Sequence, residues 1–267
     1  MIVVTNDDGV RSPGILALFR AVSGLGEKVE VVAPDGPQSA AGMSITFFKP
    51  LRIERVEIDD GYRAYAVSGS PTDSVFLARY KLMKDKPIKL VVSGINLGEN
   101  LTLQSFYTSG TVSAALAAAL NGIKGIAFSM VIDYKVEPPV EAFGEASKFI
   151  RSLVSKILQV GFPDEVDVLS VNFPAKITRQ TKVKVVPMAS TMFDEYVLER
   201  RDPRGRKYFW LGGNIKSDLE SNTDVHTVLV EKNISVTPIK LTNYSPEAMR
   251  STQKLVALMG NELKTTV

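Results

Sequence analysis

The sequence predicts an α/β protein with a mostly parallel sheet flanked by helices. The first thirty-odd residues alternate strand, helix and strand, which is typical of a βαβ unit with a right-handed crossover. Further short apolar runs recur downstream, and each ends in a polar, glycine-containing loop. A hydrophobic fraction of 45% over 267 residues is enough for a substantial core in one large domain or two small ones.

The first βαβ unit is defined by its apolar runs and its helix start. Residues 2–4 (IVV) form a short buried run, followed by Asp7-Asp8-Gly9. Ser12 is a good N-cap and Pro13 suits the first helical position, so we expect a helix from residue 13 to the glycines at 24 and 26. Residues 29–33 (VEVVA) then form the second strand, and residues 34–44 form a turn-rich loop.

The segment from residue 45 to residue 83 combines predicted strands with a helix. Residues 45–67 alternate as β structure, with Asp59-Asp60-Gly61 as a hairpin turn to which we assign no chemistry. Ser70 and Asp73 have the spacing of a capping box, so a helix should run from there to about residue 83.

The next four elements continue the pattern. Residues 89–93 predict a buried strand that ends in the polar loop 94–100, and a helix should begin near Ser109 and end at Gly122. Residues 126–130 and 166–173 predict two more strands, separated by an amphipathic helix over 139–160.

The pattern changes at residue 182, and we expect two units, a catalytic core (1–181) and a C-terminal extension (182–267). Residues 193–211 predict a long β-hairpin that projects from the core, and a last helix should begin at Ser245-Pro246. The hairpin carries Tyr208, Phe209 and Trp210, which favours an interface because exposed aromatic residues usually cover something.

Composition excludes several classes of function. A net charge of +3 is too small to indicate nucleic acid or a membrane as the main partner. The sequence has no cysteine and a single histidine, His226, so thiol catalysis, disulfides and multi-histidine metal sites are excluded. We see no signal peptide and no run long enough to span a bilayer, so a cytoplasmic location is expected.

Oxygen ligands follow three of the predicted strands. Asp7 and Asp8 follow the first strand, Ser39 lies in the loop after the second, and Asn96 follows the strand at 89–93. The carboxyl ends of parallel strands meet at one edge, so we expect these four side chains to hold a hard divalent cation, Mg²⁺ or Mn²⁺. Each has a plainer alternative, because Asp-Asp-Gly and Asn suit turns and Ser39 suits a loop.

A phosphate site is expected beside this metal site. Ser109, Gly110 and Thr111 open a predicted helix, where free backbone amides and the helix dipole bind phosphate. The loop at 94–100 adds Asn100 as a further amide donor. The alternative for Ser109 and Thr111 is simple helix capping.

Several motifs in register resemble the SurE (survival protein E) family of metal-dependent nucleotidases. They are TNDDG with SPGI, VVAPDGPQSAAGMS, GSPTD, VVSGINLGEN and SGTVSAAL, spread over about the first 130 residues. The resemblance implies a Rossmann-like core and hydrolysis of nucleoside monophosphates. It also implies one divalent metal per subunit on Asp7, Asp8, Ser39 and Asn96, with Asn100 and 109–111 on the phosphate side. Finally, it implies a homodimer or homotetramer that exchanges C-terminal segments.

One segment differs from many members of that family. Residues 101–108 (LTLQSFYT) separate the glycine–asparagine loop from SGT, so base preference is not carried over. Phe106 or Tyr107 is able to stack on a base or to pack the loop down.

The sequence therefore predicts a metal-dependent phosphomonoesterase. Asp7 or Asp8, and Asp8 in particular, is expected to act as base or nucleophile, whereas His226 is expected to be structural. One alternative is a non-catalytic module that senses nucleotide or metal. A dinucleotide-dependent oxidoreductase is disfavoured because the first strand–helix turn lacks G-x-G-x-x-G.

Overall fold

A nine-stranded, mostly parallel sheet forms the centre of the molecule, in a computed structural model that describes residues 1–59, 61–132, 137–241 and 245–259. A separate antiparallel hairpin makes a second, two-stranded sheet. The strands are β1 (Ile2–Thr5), β2 (Val29–Pro34), β3 (Ile53–Asp59), β4 (Tyr62–Val67), β5 (Leu90–Leu97), β6 (Lys124–Met130), β7 (Val168–Phe173), β8 (Val183–Val185), β9 (Phe193–Arg201), β10 (Lys207–Ile215) and β11 (Ile234–Ile239).

The strand order is β3-β4-β2-β1-β5-β6-β7-β11-β8. The six strands from β4 to β7 are parallel, while β3 and β11 run antiparallel to β4 and β7. From β1 the chain first builds toward β2 and β4, and then crosses back to build β5, β6 and β7 on the other side. The strand order therefore reverses beside β1, and ligands of open α/β sheets bind at such a point.

Helices cover both faces of the sheet. They are α1 (Pro13–Val22), α2 (Pro71–Leu77), α3 (Thr102–Thr108), α4 (Gly110–Leu120), α5 (Gly144–Val160) and α6 (Pro246–Met259). Helices α1 and α5 pack against each other over a core that includes Ile2 and Val4, and α2 and α4 pack against each other over Val3 and Val91. Because side chains alternate along β1, these two cores lie on opposite faces of the sheet.

The predicted fold class is confirmed, including the projecting hairpin. The capping box at α2 is present, with the Ser70 hydroxyl accepting from the Asp73 N–H at 3.0 Å and the Asp73 carboxylate accepting from the Ser70 N–H at 2.9 Å. The predicted turn at 59–61 joins β3 to β4, although its middle residue, Asp60, lies outside the described residues.

Three local predictions were wrong. Residues 45–52 are not a strand, because Ser44 and Thr46 bind the start of α2 through Ser70 Oγ and the Asp73 carboxylate. The strand predicted to end at residue 93 continues, after an irregularity between Ser93 and Asn96, to Leu97. Residues 102–108 form the helix α3, which was not predicted.

The C-terminal part contributes to the main sheet as well as to the hairpin. Strand β11 lies between β7 and β8, pairing antiparallel with β7 and parallel with β8. The hairpin β9–β10 extends to Ile215, four residues beyond the predicted limit. The division into units at residues 181 and 182 stays a prediction.

Candidate functional site

A cavity of about 420 Å³ opens at the carboxyl ends of β1 and β5, beside the reversal in strand order. It is lined by Asp7, Asp8, Ser39, Ala40, Asn96, Leu97, Glu99, Asn100, Ser105, Thr108 and Ser109. All four predicted metal ligands are therefore at one cavity, together with Asn100 and Ser109 from the predicted phosphate site.

The two carboxylates occupy different environments. Asp7 is buried, and burial raises the pKa of its carboxyl group although the Thr111 hydroxyl donates to Oδ1 and lowers it. Asp8 is half-buried and accepts from the Leu97 N–H at 3.2 Å. Burial, then the negative charge of Asp7, raises the pKa of Asp8 to about 7. Both raised pKa values reflect the free-energy cost of placing two negative charges side by side away from water, and a bound divalent cation would offset that cost.

Helix α4 begins directly against Asp7. The Thr111 side chain is fully buried, and its hydroxyl lies 3.5 Å from Asn96 Oδ1 as well as donating to Asp7. A Cβ on Gly110 would lie 2.7 Å from Asp7 Cβ and 3.1 Å from Pro71 Cγ, so only glycine allows this approach. Gly110 and Thr111 therefore support the carboxylate, and their predicted phosphate binding stays a prediction.

Asn96 and Ser39 approach the carboxylates from different segments. The Asn96 Nδ2 donates to the Gly98 carbonyl at 2.9 Å, which leaves Oδ1 as an acceptor near Thr111. Ser39 is exposed in the loop after β2, which is held to Asp7 by a hydrogen bond of 2.7 Å from the Gln38 N–H to the Asp7 carbonyl.

The donor set fits a hard divalent cation. It consists of two carboxylates, one amide oxygen and one hydroxyl, and Mg²⁺ and Mn²⁺ accept such oxygen ligands with waters completing the shell. Among the described residues, no group of three or more Asp, Glu, His or Cys side chains is placed to hold a metal. A cation in this cavity therefore depends on neutral oxygens and water in addition to Asp7 and Asp8.

Ser109 at the start of α4 and Asn100 are the two residues of the predicted phosphate site that line the cavity. Ser109 is the N-cap of α4, and its hydroxyl accepts from the Val112 N–H at 3.1 Å. The Asn100 side chain donates to Ser129 Oγ at 2.7 Å, and its backbone N–H donates to Asn172 Oδ1 at 2.8 Å. Ser109 thus combines the predicted capping role with a position in the cavity wall.

Three further lining residues with polar side chains were not predicted. Glu99 has a pKa raised by burial, while Ser105 and Thr108 are three residues apart on α3 and face the cavity together. The i, i+3 spacing of Ser105 and Thr108 would have indicated them if α3 had been predicted as a helix.

The aromatic residues and the histidine lie elsewhere. Phe106 is buried in a T-shaped contact with Tyr107, whose side chain is 68% exposed, and the lining of this cavity in the described part of the chain includes neither ring. His226 lies in the turn His226–Val230, with Nδ1 3.5 Å from Glu231 Oε1. Its predicted structural role is consistent with that position and remains a prediction.

Comparisons with known proteins identify one family that this chain is similar to in sequence and in structure. The model of the family described as "Survival protein SurE" matches residues 2–195. The "5'-nucleotidase SurE" of Methanocella arvoryzae is 45% identical over 245 residues, covering 90% of this chain and 91% of that protein. The protein of the same name from Picrophilus torridus is 41% identical over 260 residues, covering 97% and 98%. The crystal structure of the SurE protein from Aquifex aeolicus superposes with a TM-score of 0.81 at 35% identity, covering 95% and 98%.

Proposed function

Because the chain belongs to the survival protein SurE family, we propose that it is a 5'-nucleotidase, a phosphomonoesterase that hydrolyses nucleoside monophosphates to nucleoside and phosphate. The observation that carries the proposal is that Asp7, Asp8 and Ser109, the N-cap of α4, line one cavity. Carboxylates suit a cation, and a helix N-terminus suits a phosphate.

A divalent cation, Mg²⁺ or Mn²⁺ with one per subunit, would be held by Asp7, Asp8, Ser39 and Asn96. When bound, it supplies Lewis-acid activation of the phosphate and of a water molecule. The hydrogen bond from Thr111 orients Asp7, and the Leu97 N–H orients Asp8, so the chain holds both carboxylates before any ligand arrives.

The remaining residues bind the substrate and move the proton. Ser109 and Asn100, which line the cavity, would bind the phosphate oxygens where negative charge develops, whereas the Gly110 and Thr111 amides face Asp7. Asp8 is the better base of the pair, because it is half-buried and open to the cavity, whereas Asp7 is buried against the start of α4 and accepts the Thr111 hydroxyl. In our proposal Asp8 accepts the proton of the attacking water as the new P–O bond forms and the P–O bond to the nucleoside breaks, and the same proton then passes to the departing nucleoside oxygen.

A homodimer or homotetramer with exchanged C-terminal segments is part of the proposal. The hairpin exposes Tyr208, Phe209 and Trp210 by 39%, 58% and 60%, and helix α6 exposes Met249, Leu255 and Val256. Exposed apolar surface of this kind favours an interface. No helix in the described ranges has the length and apolar content needed to cross a membrane. The predicted cytoplasmic location stays a prediction.

Phosphate release from a panel of nucleoside monophosphates, with EDTA and with added Mg²⁺ or Mn²⁺, tests this function. We expect release that requires the metal and differs between nucleotides, and we expect Asp8→Asn to abolish it while the far-UV circular dichroism spectrum is retained. Nucleotide binding without release under any metal would instead identify the non-catalytic sensing module. Wild-type turnover in Asp8→Asn would remove Asp8 from the mechanism.

A further inference from the structure

We propose that Asp224, in the C-terminal third of the chain, is a positioning residue for the substrate cavity and acts through helix α3. The inference rests on the proposed function in that it treats the cavity as the substrate site. It assigns to the C-terminal part a direct role in substrate binding, in addition to its strands in the sheet.

Asp224 is a buried carboxylate whose hydrogen bonds all come from backbone amides of three segments. Asp224 is only 1% exposed to solvent. Oδ2 accepts from the Thr102 N–H at 2.8 Å, and Oδ1 accepts from the Ala189 N–H at 2.9 Å and the Val225 N–H at 2.8 Å. Burial raises the pKa of Asp224, and these amide donors oppose the rise. Hydrogen bonds to a charged acceptor are stronger than neutral ones, so this carboxylate joins the segments firmly.

Helix α3 depends on this contact because its own sequence does not hold its start. The residue before the helix, Leu101, supplies no side-chain cap, and Thr102 has φ of +71°, a left-handed conformation that is unfavourable for a β-branched residue. A helix of seven residues is not stable by itself in water. The Asp224 carboxylate accepts one of the free amides at the helix start, as a local N-cap would, and its charge favours the helix dipole.

The segment that contains Ala189 adds two contacts to the same junction. The Leu103 N–H donates to the Ala189 carbonyl at 2.9 Å, and the Asp224 N–H donates to the Pro187 carbonyl at 2.9 Å. Residues 187–189, Asp224 and the first turn of α3 therefore form one hydrogen-bonded unit, and Asp224 is its centre.

Helix α3 forms a wall of the cavity and carries none of the predicted metal ligands, although its Thr108 carbonyl accepts from the Gly42 N–H at 3.0 Å in the loop that carries Ser39. Ser105 and Thr108 line the cavity from α3, and the Ser109 N–H donates to the Ser105 carbonyl at 2.9 Å, which links α3 to the start of α4. Asp7, Asp8 and Asn96 lie instead on or directly after β1 and β5. Displacement of α3 should therefore weaken substrate binding much more than metal binding, because three of the four predicted ligands lie on the strand side of the cavity.

The test is the variant Asp224→Asn, in which an NH₂ group replaces one of the two carboxylate oxygens. In one orientation the NH₂ group faces the Thr102 N–H, and in the other it faces the N–H groups of Ala189 and Val225, so at least one hydrogen bond is lost in either case. We expect KM for a nucleoside monophosphate to rise about tenfold, equivalent to about 1.4 kcal/mol, because one charge-assisted hydrogen bond is lost. We expect kcat and the Mg²⁺ affinity, measured by calorimetry without substrate, to change by less than about twofold. Asp224→Glu keeps the negative charge, so its KM should lie between the values of the wild-type protein and of Asp224→Asn.

Asp167→Asn is the matched control. The Asp167 carboxylate also accepts from a backbone amide, that of Leu241 at 2.9 Å, but it lies at the amino end of β7 and does not contact α3. This control should lower thermal stability without changing KM. Equal KM values for wild type and Asp224→Asn, with only a lower melting temperature, would show a merely structural role and overturn the proposal.

Amide hydrogen exchange of the wild-type protein supplies a measurement that needs no variant to fold. The proposal requires slow exchange at Thr102 and Leu103 compared with the exposed residues 47–49, and exchange as fast as in that segment would overturn it. If the wild-type protein released no phosphate from any nucleotide, the proposed function would fail while the exchange result still decided whether Asp224 holds α3.

Discussion

Replacing Gly110 by alanine inserts one methyl group between helix α4 and Asp7. The new Cβ would lie 2.7 Å from Asp7 Cβ, 3.0 Å from Asp7 Oδ2 and 3.1 Å from Pro71 Cγ. Carbon atoms in contact prefer about 3.5–4.0 Å, so the helix start and the carboxylate must separate by about 1 Å. That separation breaks the hydrogen bond from Thr111 to Asp7.

A displacement of this size in a catalytic group typically costs about a hundredfold in rate. We therefore expect kcat/KM for nucleoside monophosphate hydrolysis to fall about a hundredfold in Gly110→Ala, with weaker Mg²⁺ binding by calorimetry. The free energy of unfolding should fall by about 1–3 kcal/mol, because the new methyl group is overpacked. Phosphate release measures the first effect and urea denaturation the second.

Gly144→Ala is the matched control for Gly110→Ala. Gly144 is likewise the first residue of its helix, α5, but a Cβ there would meet nothing within 4 Å among the described residues. The control should retain activity and match or slightly exceed wild-type stability, because alanine has a higher helix propensity than glycine. Wild-type kcat/KM and Mg²⁺ affinity in Gly110→Ala would refute the close-approach argument.

Three further predictions concern the same region. Because the pKa of Asp8 is about 7 without metal, Mg²⁺ binding must displace a proton from Asp8 below that pH. The Mg²⁺ affinity measured by calorimetry should therefore fall by up to about tenfold for each pH unit below pH 7. An Mg²⁺ affinity independent of pH would contradict this. Thr111→Val keeps the volume but removes the donor to Asp7, and Mg²⁺ affinity should fall about tenfold or more; an unchanged titration would show that the hydroxyl is dispensable. Ser70→Ala removes the N-cap of α2 and should lower the free energy of unfolding in urea by about 1 kcal/mol, with no such loss if the cap is energetically neutral.

The sheet and most of the cavity follow from local sequence. Residues 2–4 and 29–33 are short apolar runs on either side of a helix with a good N-cap at Ser12, so the parallel β1–β2 pair follows from pattern alone. Carboxyl ends of parallel strands share an edge, which is why Asp7, Asp8, Ser39 and Asn96 line one cavity as predicted. Their roles as ligands stay a prediction.

Helix α3 was missed for a physical reason that lies far away in the chain. Its sequence, TLQSFYT, contains β-branched and aromatic residues of modest helix propensity, and Leu101 is not a capping residue. The acceptor at its first amide is Asp224, more than a hundred residues downstream. Ser105 and Thr108 were therefore missed with it, because no local pattern places them on one face.

The erroneous strand at 45–52 has a similar cause. Ile45, Phe47 and Leu51 share an alternating pattern, although Phe48 interrupts it. The Thr46 N–H and hydroxyl bond to Asp73, at 3.0 and 2.7 Å, and no sheet partner takes their place in the described structure. The sequence showed the capping box at α2 without showing that its carboxylate also binds a loop. Tertiary hydrogen bonding thus overrides a β-like pattern here.

The position of β11 between β7 and β8 has a consequence for synthesis on the ribosome. When β7 emerges, its outer edge has no neighbour until residues 174–239 have also been translated, because its partner on that side is β11. The exposed edge is the apolar segment VLSVNF, which is prone to pair with other chains. We therefore expect nascent chains that stop between β7 and β11 to aggregate more readily than the full chain. Strand β11, the last strand in the sequence, covers the edge of β7 and so removes this exposed edge as it completes the sheet.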